Sequence, residues 1–218
     1  MKDAYHKIVN FISSFLYRKN LYSYPRDYYY ETLLDKYSDG EFYSNLITNL
    51  NVLNGIKVNA EIRHLNNKTF NRTVIKDIIK KYGKPNYKII YKDLLEIKIL
   101  FYKHKISRHK TKLEFHFFKN NLFFYNYTFS YLNHEDKDEI IKIFKEKYFV
   151  EKYHNMINSY IIDKNNNYII MDDNIYFSIN YLCGKNIAWE KILEYTYLKK
   201  IKDVNKHKKH RKLLYDKL

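Results

Sequence analysis

Lys112-Leu113-Glu114-Phe115-His116-Phe117-Phe118 is the run on which the fold turns. Leu113, Phe115 and Phe117 alternate with Lys112, Glu114 and His116. Successive side chains of an extended chain point to opposite faces, so this period of two predicts a strand with one apolar and one polar face. The run lies inside a longer stretch, Val74 to Leu132, that reads as a helix followed by a three-stranded meander. Val74 to Tyr82 has helical spacing, and Gly83-Lys84-Pro85 stops it because proline cannot continue a helix. Thr73 stands where an N-cap is expected. Leu94 to Tyr102 and Leu122 to Tyr131 supply the flanking strands. Lys119-Asn120-Asn121 predicts a tight hairpin, since Asn tolerates the left-handed backbone that such turns need. His104 to Lys110 reads as a basic polar loop.

Before this stretch the chain looks helical. Ile8, Phe11, Ile12, Phe15 and Leu16 line one face of an amphipathic helix, and Tyr24-Pro25 interrupts the pattern. Arg26 to Lys36 and Glu41 to Leu53 are two further helices, separated by Ser38-Asp39-Gly40. Ile56 to Ile62 alternates weakly, as a strand would, and Asn66 to Thr73 is a polar connector. After the meander, Asn133 caps a helix over Asp136 to Phe149, with acids in the first turn and lysines later, which suits the helix dipole. Its apolar stripe is Ile140, Ile143, Phe144 and Tyr148. Strands follow at Ser159 to Asp163, Tyr168 to Met171 and Ile175 to Leu182. Asn186 to Leu198 is the last apolar-faced helix, with Trp189, Ile192, Leu193 and Tyr197 inward, and the basic tail extends it.

This order predicts an α+β fold. N-terminal helices lead into an α-β-β-β-α-β-β-α region built on an antiparallel sheet, and a basic helix ends the chain. The expected organisation is a helical region at 1–70, an α+β domain at 71–198 and a basic tail at 199–218. Val74 to Pro85, Leu100-Phe101-Tyr102 and Lys112 to Phe117 resemble the small helix-plus-meander domains of outer-membrane assembly lipoproteins. That resemblance implies a fold and not the lipoprotein role, which needs an N-terminal lipid-attachment cysteine. The element order is also similar to that of type III secretion chaperones, although those are usually acidic.

The balance of 40 Lys+Arg against 24 Asp+Glu gives a net charge of +16, a field that favours acidic partners. Heavy use of Lys, Asn, Ile, Tyr and Phe also fits an AT-rich coding sequence, so charge alone names no partner. The single cysteine, Cys183, excludes an intrachain disulfide and a cysteine-rich metal site, and fits a buried thiol in a reducing cytoplasm. No stretch is apolar enough for a transmembrane helix, and the N-terminus lacks a signal-peptide pattern.

Two classes of site are readable. Glu96-Ile97-Lys98, inside an apolar run, is similar to the acidic-x-Lys element of the PD-(D/E)xK metal-dependent nucleases, which implies a metal carboxylate at Glu96 and a phosphate- or water-steadying Lys98. The upstream aspartate of that family is replaced by Asn86, and the plainer reading is a solvent-facing strand edge. The histidines form no zinc spacing with Cys183, and Asp172-Asp173 reads as a turn, so no metal or cofactor is expected. The basic clusters are the stronger signal: Lys103, Lys105, Arg108, Lys110 and Lys112, and then Lys206, Lys208, Lys209, Arg211 and Lys212. Lysines interleaved with Tyr and Phe suit single-stranded nucleic acid, whose phosphates take cations and whose bases stack on rings. The expectation is a non-enzymatic binding protein that docks on RNA, DNA or a nucleoprotein complex. A small basic chain of this kind suits a phage or mobile-element factor, such as an inhibitor of a nucleic-acid-guided defence system. A chaperone-like protein-binding module and a divergent nuclease are the alternatives.

Overall fold

The computed structural model describes residues 31–63, 70–92, 96–148, 159–215 and 217. The expected helix at the N-terminus, the break at Tyr24-Pro25, the first part of the helix from Arg26, the first half of the connector from Asn66, and Leu94 lie outside the described residues. The chain divides into two compact units, Met1–Asp39 and Gly40–Leu218. In the first, residues 31–38 are helical, and the Lys36 ammonium lies 4.8 Å from the centroid of the Tyr37 ring.

The second unit is a mixed α/β structure. Its elements are α1 (Glu41–Leu50), β1 (Asn54–Lys57), a 3-10 turn (Phe70–Arg72), α2 (Ile75–Tyr82), β2 (Tyr87–Tyr91), β3 (Ile97–Ile106), β4 (His109–Phe118), β5 (Asn121–Phe129), α3 (His134–Tyr148), β6 (Ser159–Ile162), β7 (Asn167–Asp173), β8 (Phe177–Cys183) and α4 (Ala188–Tyr215). The strands form one eight-stranded sheet in the order β1-β6-β7-β8-β5-β4-β3-β2. Seven strands run as an antiparallel series, and β1 adds to β6 in parallel. The expected sheet was antiparallel throughout and lacked β2. The chain leaves α2 through Gly83, at φ 77, and pairs again at Tyr87, so Pro85 ends the helix without ending the sheet.

Leu113, Phe115 and Phe117 do share one face, and it is packed. With Leu100, Tyr125, Tyr181 and Met171 they form the main apolar cluster, closed by Ile78 of α2 and by Phe144 and Tyr148 of α3. The other face of β4 is not the solvent face that alternation suggests. Glu114 and His116 are 4% and 0% exposed. α1 and α4 cover them: the Tyr43 hydroxyl is 2.8 Å from His116 Nδ1, and the Trp189 ring meets Phe123 edge-on at 5.1 Å. A register shift opposite His116/Phe117 lets two consecutive rings, Phe123 and Phe124, both reach Tyr43. Helices therefore flank both faces of the sheet.

Local chemistry fixes the connections. Lys119 and Asn120, at φ 45 and 70, form the two-residue turn between β4 and β5. Val74, not Thr73, occupies the N-cap of α2, and Asp77 accepts its backbone N–H at 3.1 Å. Asn133 accepts the backbone N–H of Asp136 at 2.7 Å and starts α3, where Ile143 is exposed rather than inward. Ile175 is not in a strand but at the exposed tip of the β7–β8 hairpin. Gly184 is required where β8 ends, because a β-carbon there would lie 2.0 Å from the Asn166 carbonyl oxygen. On α4 the buried residues are Ala188, Trp189, Ile192 and Thr196, while Leu193 and Tyr197 are exposed.

Candidate nucleic-acid interface

The expected loop from His104 to Lys110 shrinks to a two-residue turn, Ser107-Arg108, because β3 and β4 stay paired to Ile106 and His109. That pairing organises the lysines. Lys103 stands directly opposite Lys112, and Lys105 opposite Lys110. Directly opposed residues of an antiparallel pair share a face, with β-carbons about 4.5–5.5 Å apart, and like charges placed so are destabilising. Four ammonium groups thus crowd one face of the hairpin tip. Lys103, Lys105 and Lys110 are exposed, and among the described residues they make no ion pair. Lys112 is half-buried, with its ammonium 5.8 Å from the centroid of the Tyr176 ring.

Tyr176 stands beside this ladder, and Tyr131 lies just past the end of β5. Tyr176 is 49% exposed, and Tyr131 is 90% exposed at φ 62. Tyr131 follows Ser130, whose backbone N–H donates to the Lys110 carbonyl at 3.0 Å. Neither tyrosine stands out in the sequence. Tyr176 stands between Ile175 and Phe177 and Tyr131 between Ser130 and Leu132, so neither carried a local signal of exposure.

Arg108 parts company with the lysines. Its guanidinium hydrogen-bonds to Asp136 of α3 and lies 3.7 Å from Glu139, and the Asp136 bond raises its pKa above the ordinary value. The turn is thereby clamped to the helix on the opposite face from the ladder.

The second cluster lies on α4. From Ile201 to Tyr215 every residue is exposed, which leaves about 22 Å of helix unburied at 1.5 Å per residue. Lys206, Lys208, Lys209, Arg211 and Lys212 all lie on this projecting part. Lys200 is tied to Glu41 of α1 at 3.2 Å, just before the helix leaves the body. The structure groups the first cluster on one hairpin and the second on one helix.

Glu96 and Lys98 are separated in environment. Glu96 is exposed at φ 57 in the turn that precedes β3, so it is not within the strand, while Lys98 is half-buried on β3 between Ile90 and Phe117. Among the described residues no three His, Cys, Asp or Glu side chains converge as a metal site. Also among those residues, no helix is long and apolar enough to cross a membrane. Compared with known proteins, the chain matches no family model, no curated protein and no solved structure.

Proposed function

We propose that this protein binds single-stranded nucleic acid without acting on it chemically, using the β3–β4 hairpin tip and the projecting part of α4. The observation that carries the reading is the pair of directly opposed lysine rungs, Lys103 with Lys112 and Lys105 with Lys110. Lys103, Lys105 and Lys110, which make no ion pair among the described residues, repel one another there, and a phosphate backbone laid across them would relieve that repulsion. Tyr176, beside Lys112, supplies a ring face for a base at the same place, and exposed Tyr131 follows β5 close by in the chain, which favours a single strand over a duplex.

The test is a salt series of fluorescence anisotropy with a labelled single-stranded RNA. The triple variant Lys103→Gln, Lys105→Gln and Lys110→Gln should flatten the slope of log K against log salt by about 2, since each contact contributes about 0.7. Removal of Lys206 to Leu218 should flatten it further while the fold persists. Equal slopes for all three proteins, or no binding by the intact protein at low salt, overturn the reading.

A protein-binding role has one observation in its favour. Tyr197, Ile201 and Val204 fall on one side of the projecting helix and are 66%, 41% and 52% exposed. Such a stripe, followed by lysines, fits an acidic amphipathic helix of a partner.

A further inference from the structure

The hairpin tip has a second face, and it is hollow. Behind the Ser107-Arg108 turn a cavity of about 440 Å³ lies between β3, β4, β5 and β8 on one side and α3 on the other. That volume falls in the range of small-molecule pockets. Its walls are rings: Tyr127, Phe129, Phe144 and Tyr181. Tyr127 and Tyr181 meet at a steep angle, 5.7 Å between centroids, and Phe144 stands 6.5 Å from Tyr181. Tyr181 is 6% exposed and makes no side-chain hydrogen bond among the described residues. Burial raises its pKa well above the ordinary value, so at neutral pH the group is a phenol with a proton to donate.

The mouth is charged. Arg108 is already neutralised there by Asp136 and Glu139. His109 lies 3.8 Å from the same Asp136 carboxylate. Lys147 of α3 lines the mouth too, and among the described residues it makes no ion pair. Its ammonium rests 5.3 Å from the centroid of the Tyr148 ring. The cavity therefore offers an apolar, ring-lined interior, a phenol inside and one uncommitted cation at the entrance.

We infer that this cavity binds a small aromatic anion, with its ring system among Tyr127, Phe129, Phe144 and Tyr181 and its charged group at Lys147. Rings pack edge-to-face against such walls, and one acidic group is what the uncommitted ammonium lacks. The site is separate from the lysine ladder. Ile106 and His109 are directly paired and point to the cavity side, whereas Lys105 and Lys110, one position away on each strand, point to the other face.

The probe is 1-anilinonaphthalene-8-sulfonate, a ring system with one sulfonate, followed by its fluorescence on the intact chain. Saturable one-to-one binding is expected. Ile143→Trp should abolish it, because Ile143 lines the cavity from an exposed position on α3 where a larger ring is tolerated by the fold. Ile106→Phe fills the same space from the hairpin, so a folding failure in one variant leaves the other to decide. Lys147→Met should weaken the sulfonate probe about tenfold, the loss of one charge-assisted contact. The uncharged N-phenyl-1-naphthylamine should be indifferent to that change. The triple lysine variant of the ladder should bind the probe normally whether or not it binds RNA. Unsaturable emission, or a signal that survives both filling variants with unchanged melting temperature, overturns the inference. So does equal loss of both probes in Lys147→Met, because the lysine would then not be reading charge.

Discussion

The base and the tip of the β3–β4 hairpin are made from the same two strands and obey different rules. At the base, Ile97 to Tyr102 and Leu113 to Phe118 are buried on both faces, with Lys98 alone half-exposed. At the tip, Lys103, Lys105 and Lys110 stand in solvent on the ladder face, and Lys112 is half-buried beside them. The base is held by packing, as interiors are. The tip is held by its ladder of backbone hydrogen bonds and by the Arg108 clamp, and it carries charge repulsion besides. Packing and the proposed binding role thus fall at different ends of one element, and substitutions should separate them.

The largest effect should come from alkali acting on the base. Burial raises Tyr102 and Tyr148 from 10.0 to about 12, and it also holds Tyr43, Tyr125 and Tyr181 well above the ordinary value. Unfolded phenols ionise at their ordinary value, so this stabilising contribution is complete below pH 10 and is lost as the pH rises from 10 through about 12. Circular dichroism and phenolate absorbance should report one cooperative transition there. Gradual, independent ionisation with the fold intact would refute the tight packing of these rings.

Next, Phe115→Ala should cost about 3–5 kcal/mol in chemical denaturation, the usual range for a buried Phe. An unchanged midpoint would mean that the base is not governed by packing. Tyr43→Phe removes the partner 2.8 Å from His116 Nδ1 and should cost about 1–3 kcal/mol, the penalty for a buried polar group left unmatched. At the tip, the triple lysine variant should shift stability by no more than about 0.5 kcal/mol while it weakens RNA binding. A large destabilisation there would erase the division between the two ends. Smallest of all, Glu96→Gln should leave RNA affinity unchanged, and a Mg²⁺-dependent cleavage activity lost in that variant would restore the nuclease reading.

The sequence was legible where a periodicity had one cause. Alternation at Leu113, Phe115 and Phe117 located the core face, and Lys119-Asn120 announced its turn. It misled where polar residues had two possible fates. Glu114 and His116 look like a wet face, and alternation cannot tell water from a second layer of helices that supplies Tyr43 and Trp189. His104 to Lys110 look like a loop because charge disfavours strands locally, and pairing across the sheet overrode that preference. β2 was hidden behind Pro85, which ends a helix but leaves the next strand free to form. Of the candidate site, the lysines could be named but not their opposition across the ladder, since register is a property of the sheet. The ring-lined cavity left no local signal, because Arg108 comes from the β3–β4 turn, Tyr127 from β5, Phe144 and Lys147 from α3 and Tyr181 from β8.

The parallel pairing of β1 with β6 has a consequence for biogenesis. Asn54 to Lys57 find their partners only at Ser159 to Ile162. Asp163 adds a clasp at the same place, its carboxylate accepting the backbone N–H of Ile62 at 2.9 Å and that of Asn167 at 2.8 Å. During synthesis the early segment must wait until most of the chain has left the ribosome. Contacts between residues so far apart in sequence are slow to form, because loop closure precedes any reward from pairing. The interval leaves Ile56, buried in the finished sheet, without its neighbours, and it is a stage at which the nascent chain is open to capture by chaperones or to aggregation.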